Sequence, residues 1–111
     1  MMTLLIEPRP VPLTINEDGI VFVTGTRVPM DTIIYAFRDG STAEQIAEDY
    51  PTVKLADVYA VISYYLDHQQ EVDAYLQRQE AEREALRREN EARFPSHGLR
   101  ERLLARLRQD A

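Results

Sequence analysis

The chain has 111 residues, with 13 Lys and Arg against 19 Asp and Glu, a net charge of -6 and no cysteine. That length allows one compact body with a tail but not two full domains, and the missing cysteines exclude disulfide scaffolds, thiolate zinc sites and cysteine nucleophiles. The acidic balance argues against a binder that works by phosphate neutralisation alone, and no apolar run approaches the roughly 18 residues that span a bilayer. The start, Met1 to Pro12, lacks a signal-peptide pattern, so the expected location is cytoplasmic.

The charge is unevenly placed. Residues 1–53 hold 8 acids and 3 bases, residues 54–76 hold 4 acids and 1 base, and residues 77–111 hold 7 acids and 9 bases, all of them Arg. This shift sets a boundary near Leu76, dividing a body of residues 1–76 from an extension of residues 77–111.

Val11 to Asn16 and Ile20 to Val23 are β-prone runs, and Glu17-Asp18-Gly19 between them carries the residue types of a tight hairpin turn. Gly25-Thr26 offers a second turn before Arg27-Val28-Pro29-Met30, a candidate third strand in which Pro29 is tolerable only at an edge or an end. Asp31 is a candidate N-cap for a helix through Phe37 that Asp39-Gly40 ends. Ser41 and Glu44 have capping-box spacing ahead of Ala43, Ile46, Ala47 and Tyr50, and Pro51 stops that second helix.

Leu55, Val58, Val61, Ile62 and Tyr65 follow the i, i+3, i+4 rhythm of the strongest helix in the body. Helical pattern continues through Val72, Tyr75 and Leu76, and Gln77 to Arg93 reads as a solvated, highly charged helix. Phe94-Pro95-Ser96-His97-Gly98 breaks it. Beyond the break, Leu99, Leu103, Leu104 and Leu107 form an apolar stripe flanked by Arg100, Arg102, Arg106 and Arg108, over a segment too short for a stable helix by itself.

The expected fold is mainly α with a small N-terminal β-hairpin: a helix-turn-helix or winged-helix-like body plus a charged helical C-terminal extension. The second helix of the pair would offer Thr52, Lys54, Ala56, Asp57 and Ala60 to a major groove, with Arg27 as a supplementary base, and the DNA candidates are therefore Arg27, Thr52, Lys54 and Asp57. Lys54 is the only base on that helix and Asp57 repels phosphate unless it accepts from a cytosine amino group, so any affinity would be weak and salt-sensitive. The same spacing serves ordinary helical hairpins.

Chemistry is thin. His68 and His97 form no metal-ligand pair, and the carboxylate pairs Asp67/Glu71 and Glu80/Glu84 are routine on charged helices. There is no phosphate loop and no Ser-His-Asp set, so neither catalysis nor a cofactor is expected. The tail either packs on the body or a second subunit, or enters an acidic groove of a partner protein through Leu99, Leu103 and Leu107 with Arg100, Arg102, Arg106 or Arg108 nearby.

Gly25-Thr26-Arg27-Val28-Pro29 with Ile33, Gly40-Ser41 with Glu44-Gln45-Ile46-Ala47, Tyr50-Pro51, and Val58-Tyr59-Ala60 through Tyr64-Tyr65 occur in an order and spacing that resembles a family of small bacterial proteins, the domain of unknown function 433, which look like VapB-type antitoxins. The resemblance spans roughly residues 15–75. It implies a dimeric helix-turn-helix domain behind a β-hairpin, encoded beside a PIN-like ribonuclease toxin, with a tail that wraps the toxin and an Arg that approaches its acidic metal-binding pocket. The function expected on that basis is a type II antitoxin that inhibits its toxin and binds its own promoter DNA. The alternative is a dimeric protein-interaction module without DNA binding.

Overall fold

The computed structural model describes the backbone of residues 3–93 and 96–109, and the side chains of residues 3–93 and 102–108. The described residues form two strands and five helices: β1 (Leu13–Ile15), β2 (Val21–Val23), α1 (Met30–Arg38), α2 (Ala43–Asp49), α3 (Leu55–Asp67), α4 (Gln69–Arg93) and α5 (Ser96–Gln109). They divide into two compact units, Met1–Val72 and Asp73–Ala111, with α4 continuing across the division.

The hairpin forms because Asn16 and Gly19 close its turn. Asn16 Oδ1 accepts from the backbone N–H groups of Asp18 and Ile20, both at 2.9 Å, and Gly19 takes φ 79°, the left-handed conformation that costs a residue without Cβ nothing. β1 and β2 then pair antiparallel with Thr14 opposite Phe22. The expected third strand is reduced to one bridge, Phe22 to Pro29, since Pro29 has no N–H to extend a ladder.

Pro29, not Asp31, is the N-cap of α1, and Asp31 sits inside the first turn at 8% exposure. A carboxylate there complements the positive end of the helix dipole. At the other end Gly40 N–H donates to Phe37 O and Ser41 N–H to Ala36 O, with Gly40 at φ 96°, which is a Schellman motif. This ending moves the start of α2. With the Ser41 N–H already given to α1, the capping box forms one residue later: Thr42 Oγ1 accepts from Gln45 N at 3.1 Å, and Gln45 Oε1 accepts from Thr42 N at 2.9 Å.

α3 is the centre of the first unit. Val58, Val61, Ile62 and Tyr65 line its buried face, and it packs against α1 and α2, while α1 also meets β2. Ile33, Ile34, Ile46, Val23, Val58 and Val61 are the largest side chains sealed from solvent. Leu55, which the helical rhythm places on the buried face, is 41% exposed. Arg38, at the end of α1, donates through Nε and Nη2 to the Tyr65 hydroxyl at 3.0 and 2.9 Å, and Phe37 meets the Tyr65 ring edge-on at 6.3 Å. Tyr65 is thus buried by its own chain.

α3 ends at His68, whose ring stacks on Tyr64 at 4.3 Å and whose Nδ1 donates to the Tyr64 carbonyl. Val72, Tyr75 and Leu76 are buried, and the rest of α4 is held largely by itself. Glu84 pairs with Arg87 at 3.1 Å and Arg88 at 3.5 Å, Glu80 with Arg83 at 3.6 Å, and Glu89 with Arg93 at 3.0 Å. Such exposed i, i+3 and i, i+4 pairs each contribute roughly 0.2–0.5 kcal/mol and are screened by salt. Of the expected break, Phe94 and Pro95 lie outside the described residues, whereas Ser96, His97 and Gly98 belong to the first turn of α5. The tail is a 14-residue helix, longer than the leucine stripe alone implies.

No helix among the described residues is long and apolar enough to cross a membrane. Truncating Ile46, sealed between α2 and α3, leaves a cavity that a small unit absorbs poorly. Ile46→Ala should cost about 2–5 kcal/mol, read as a lower urea midpoint with an unchanged slope.

Candidate interaction surfaces

Two surfaces carry the candidate residues, and each is built differently. The first is the α2–α3 pair. Tyr50 caps α2, Pro51 ends it, and the turn folds back as Val53 N–H donates to Tyr50 O at 2.9 Å with the Val53 side chain buried. This leaves Thr52 and Lys54 exposed on the same turn. Lys54 is the N-cap of α3, yet no side-chain hydrogen bond caps the helix; its carbonyl accepts from Asp57 N and Val58 N.

Asp57 stands in the first turn of α3, so Thr52, Lys54 and Asp57 come together. Arg27 does not share their element. It is exposed on the β2–α1 loop, where Thr26 Oγ1 donates to Val23 O at 2.9 Å and accepts from Val28 N at 3.1 Å, with Gly25 at φ 78°.

Asp57 is already engaged. Arg9 Nη2 donates to Asp57 Oδ1 at 2.7 Å, with the Asp57 side chain 14% exposed and that of Arg9 62%. The segment carrying Arg9 has no helix or strand from Thr3 to Val11. Arg9, Pro10 and Val11 form one wall of a cleft of about 250 Å³ whose other wall is Ala60, Tyr64 and His68 of the α3 end, and Arg9 to Pro12 share a second cleft with Thr24 and Asp57. The face of α3 that would enter a groove through Asp57 and Ala60 is therefore overlaid by the chain's own N-terminal arm. Nothing in the periodicity of the sequence marks Arg9; a lone base among three prolines is the only signal.

A second tie unseen in the sequence joins α2 to α3: the Tyr59 hydroxyl donates to Glu44 Oε1. The shifted capping box explains its availability, because Gln45 rather than Glu44 closes the box. The bond holds the Glu44 carboxyl below its usual 4.5, helped by the residue's own backbone N–H, and the bond together with slight burial and the carboxylate charge raises the Tyr59 phenol above 10.0. A lowered carboxyl stabilises the fold above its unfolded value and loses that contribution as pH falls through the folded value; a raised phenol loses its contribution as pH rises through its own. The tie is therefore complete between about pH 4.5 and 10.

The second surface is α5. Leu103, Leu104 and Leu107 are 51, 44 and 67% exposed, and Arg102, Arg106 and Arg108 are exposed beside them. Leu103 and Leu107 stand one turn apart, on one face, with Leu104 adjacent. Leu99 and Arg100 lie in the backbone of this helix, and their side chains lie outside the described residues. Among the described residues no group of three His, Asp or Glu side chains could hold a metal ion.

Residues 18–65 match the model of a family described as "Protein of unknown function (DUF433)". The match spans the end of the hairpin turn, β2, α1, α2 and most of α3. No curated protein and no solved structure matches the chain.

Replacing the donor to Glu44 without disturbing packing isolates the tie. Tyr59→Phe should move the Glu44 carboxyl back up toward 4.5 in an NMR titration, while the far-ultraviolet circular dichroism stays unchanged.

Proposed function

We propose, from the premise that residues 18–65 form a DUF433 domain, that the protein is a type II antitoxin whose tail inhibits a co-encoded PIN-like ribonuclease and whose body forms a homodimer. The observation that carries this reading is α5, a helix presenting Leu103, Leu104 and Leu107 to solvent with Arg102, Arg106 and Arg108 beside them. An exposed leucine face of this kind gains by entering an apolar groove, at roughly 1.5–3 kcal/mol per fully buried leucine. Guanidinium groups at its border match carboxylates in bidentate geometry, the chemistry of a magnesium-holding nuclease pocket.

The partner is thus a protein with an apolar groove beside an acidic site. On this reading the antitoxin performs no catalysis and needs no cofactor. Leu99, Leu103 and Leu107 anchor it, and one of Arg100, Arg102, Arg106 or Arg108 approaches the acidic residues.

Promoter binding is the second part of the reading, with Thr52, Lys54 and Arg27 as its exposed contacts. The Arg9–Asp57 ion pair and the arm beside Ala60 favour the alternative, a dimeric interaction module without DNA binding, because they occupy the groove-facing side of α3. Titrating the protein onto its own promoter across a salt series separates the two: an antitoxin that autorepresses forms a specific complex whose affinity falls with salt, and the module forms none.

The tail is tested by pull-down from the native host with the full chain, a chain ending at Asn90, and the full chain carrying Leu103→Asp and Leu107→Asp. A small nuclease should be retained by the full chain and lost from both others. Retention by the variant with aspartates would remove the leucine face from the argument. Against the purified nuclease, one of the single substitutions Arg100→Ala, Arg102→Ala, Arg106→Ala and Arg108→Ala should weaken inhibition about tenfold, the loss of one charge-assisted bond worth about 1.5 kcal/mol, and inhibition left intact by all four would remove the arginine from the reading.

A further inference from the structure

The first unit carries an exposed apolar segment without regular structure and, among the described residues, a sheet edge that the segment does not pair with. Leu4, Leu5 and Ile6 are 88, 84 and 93% exposed, three consecutive large aliphatic side chains in water at the start of the arm. The edge is on β1. Asn16 N–H donates to Ile20 O and Thr24 N–H to Pro12 O, so by antiparallel alternation Thr14 is the residue that bonds Phe22, and the backbone groups of Leu13 and Ile15 face the other way.

Among the described residues the sheet has two strands and no strand pairs with that side of β1; Leu13 N–H is satisfied by Val11 O at 2.8 Å, while by the alternation Leu13 C=O and Ile15 N–H and C=O point outward. The Ile15 side chain is itself 69% exposed. An uncovered edge of this kind is a template for an added strand.

The arm is led away from its own edge. Pro8, Pro10 and Pro12 favour an extended backbone, and the Arg9–Asp57 ion pair holds the arm against α3. From these observations we infer that Leu4–Ile6 adds as a strand to the free β1 edge of a second copy, each chain giving its arm to the other about a two-fold axis.

Self-complementarity identifies the occupant, since each chain holds both halves of the contact and a two-fold pair satisfies both at once. Charge agrees. Residues 1–53 carry 8 acids and 3 bases, yet residues 1–6 and 10–16 are uncharged, so donor and acceptor are places where two acidic bodies meet without like charges face to face. The prolines also end the pairing register: from Pro8 to Pro12 every second residue lacks an N–H, so the added strand ends before Pro8 and its apolar, uncharged part is Leu4–Ile6.

This inference rests on the dimeric part of the function proposed above and names its surface. The test is sedimentation equilibrium of the full chain at micromolar to millimolar concentration, beside full-chain Leu5→Asp and Ile15→Pro. Leu5 is exposed and the Ile15 N–H lies outside the β1–β2 ladder, so both variants should keep the helical circular dichroism of the parent. The expected result is a mass of two chains for the parent and one chain for Leu5→Asp and Ile15→Pro. A parent of one chain would overturn this inference and the dimeric reading together. A Leu5→Asp protein that still weighs two chains would overturn arm exchange alone and move the dimer contact to another face, such as Leu55, Tyr59 and Leu66 of α3.

Discussion

The first unit depends on the burial of one face of α3. Val58, Val61, Ile62 and Tyr65 are buried where α1 and α2 pack on α3, with Ile33, Ile34 and Ile46 among the fully buried side chains. Because four positions of a 13-residue helix are committed inward, its remaining faces are fixed as well: Tyr59 is turned toward α2, Asp57 and Ala60 toward the N-terminal arm. What the helix offers to the outside is therefore a remainder set by packing, and most of that remainder is already in use within the chain.

This has a bearing on function. A groove-reading helix needs its outward residues uncommitted, whereas here the one carboxylate that could accept from a base edge is bonded to Arg9. The exposed leucines of α5 are of another kind, apolar area left in water by a helix that is otherwise strongly charged. The contrast is why the tail, more than the α2–α3 pair, supports the functional reading.

Much of the body was legible in the sequence because it is written in period. The spacing of Val58, Val61, Ile62 and Tyr65 marks α3, Pro51 marks the end of α2, and Asp18-Gly19 marks the hairpin. Legibility failed where two elements compete for one group. Ser41 and Glu44 have capping-box spacing, but the Ser41 N–H is consumed by α1, so the box moved to Thr42 and Gln45 and released Glu44 to Tyr59. Asp31 was similarly displaced from cap to first turn by Pro29. At the candidate site, Thr52 and Lys54 were found from the turn, whereas Arg9 is 48 residues from Asp57 and leaves no local trace.

The ladder of ion pairs along α4 has one more consequence, which concerns lifetime. Residues 77–93 are mostly solvent-facing and held by pairs within the same helix, so a turn there opens without any loss of the α3 core. Peptide bonds that open locally are cut at a rate set by that local equilibrium. Cleavage there would separate the arginine-rich end from the body while leaving the body's core intact, so the durability of the two-part chain is governed by a stretch of helix held mainly by its own ion pairs.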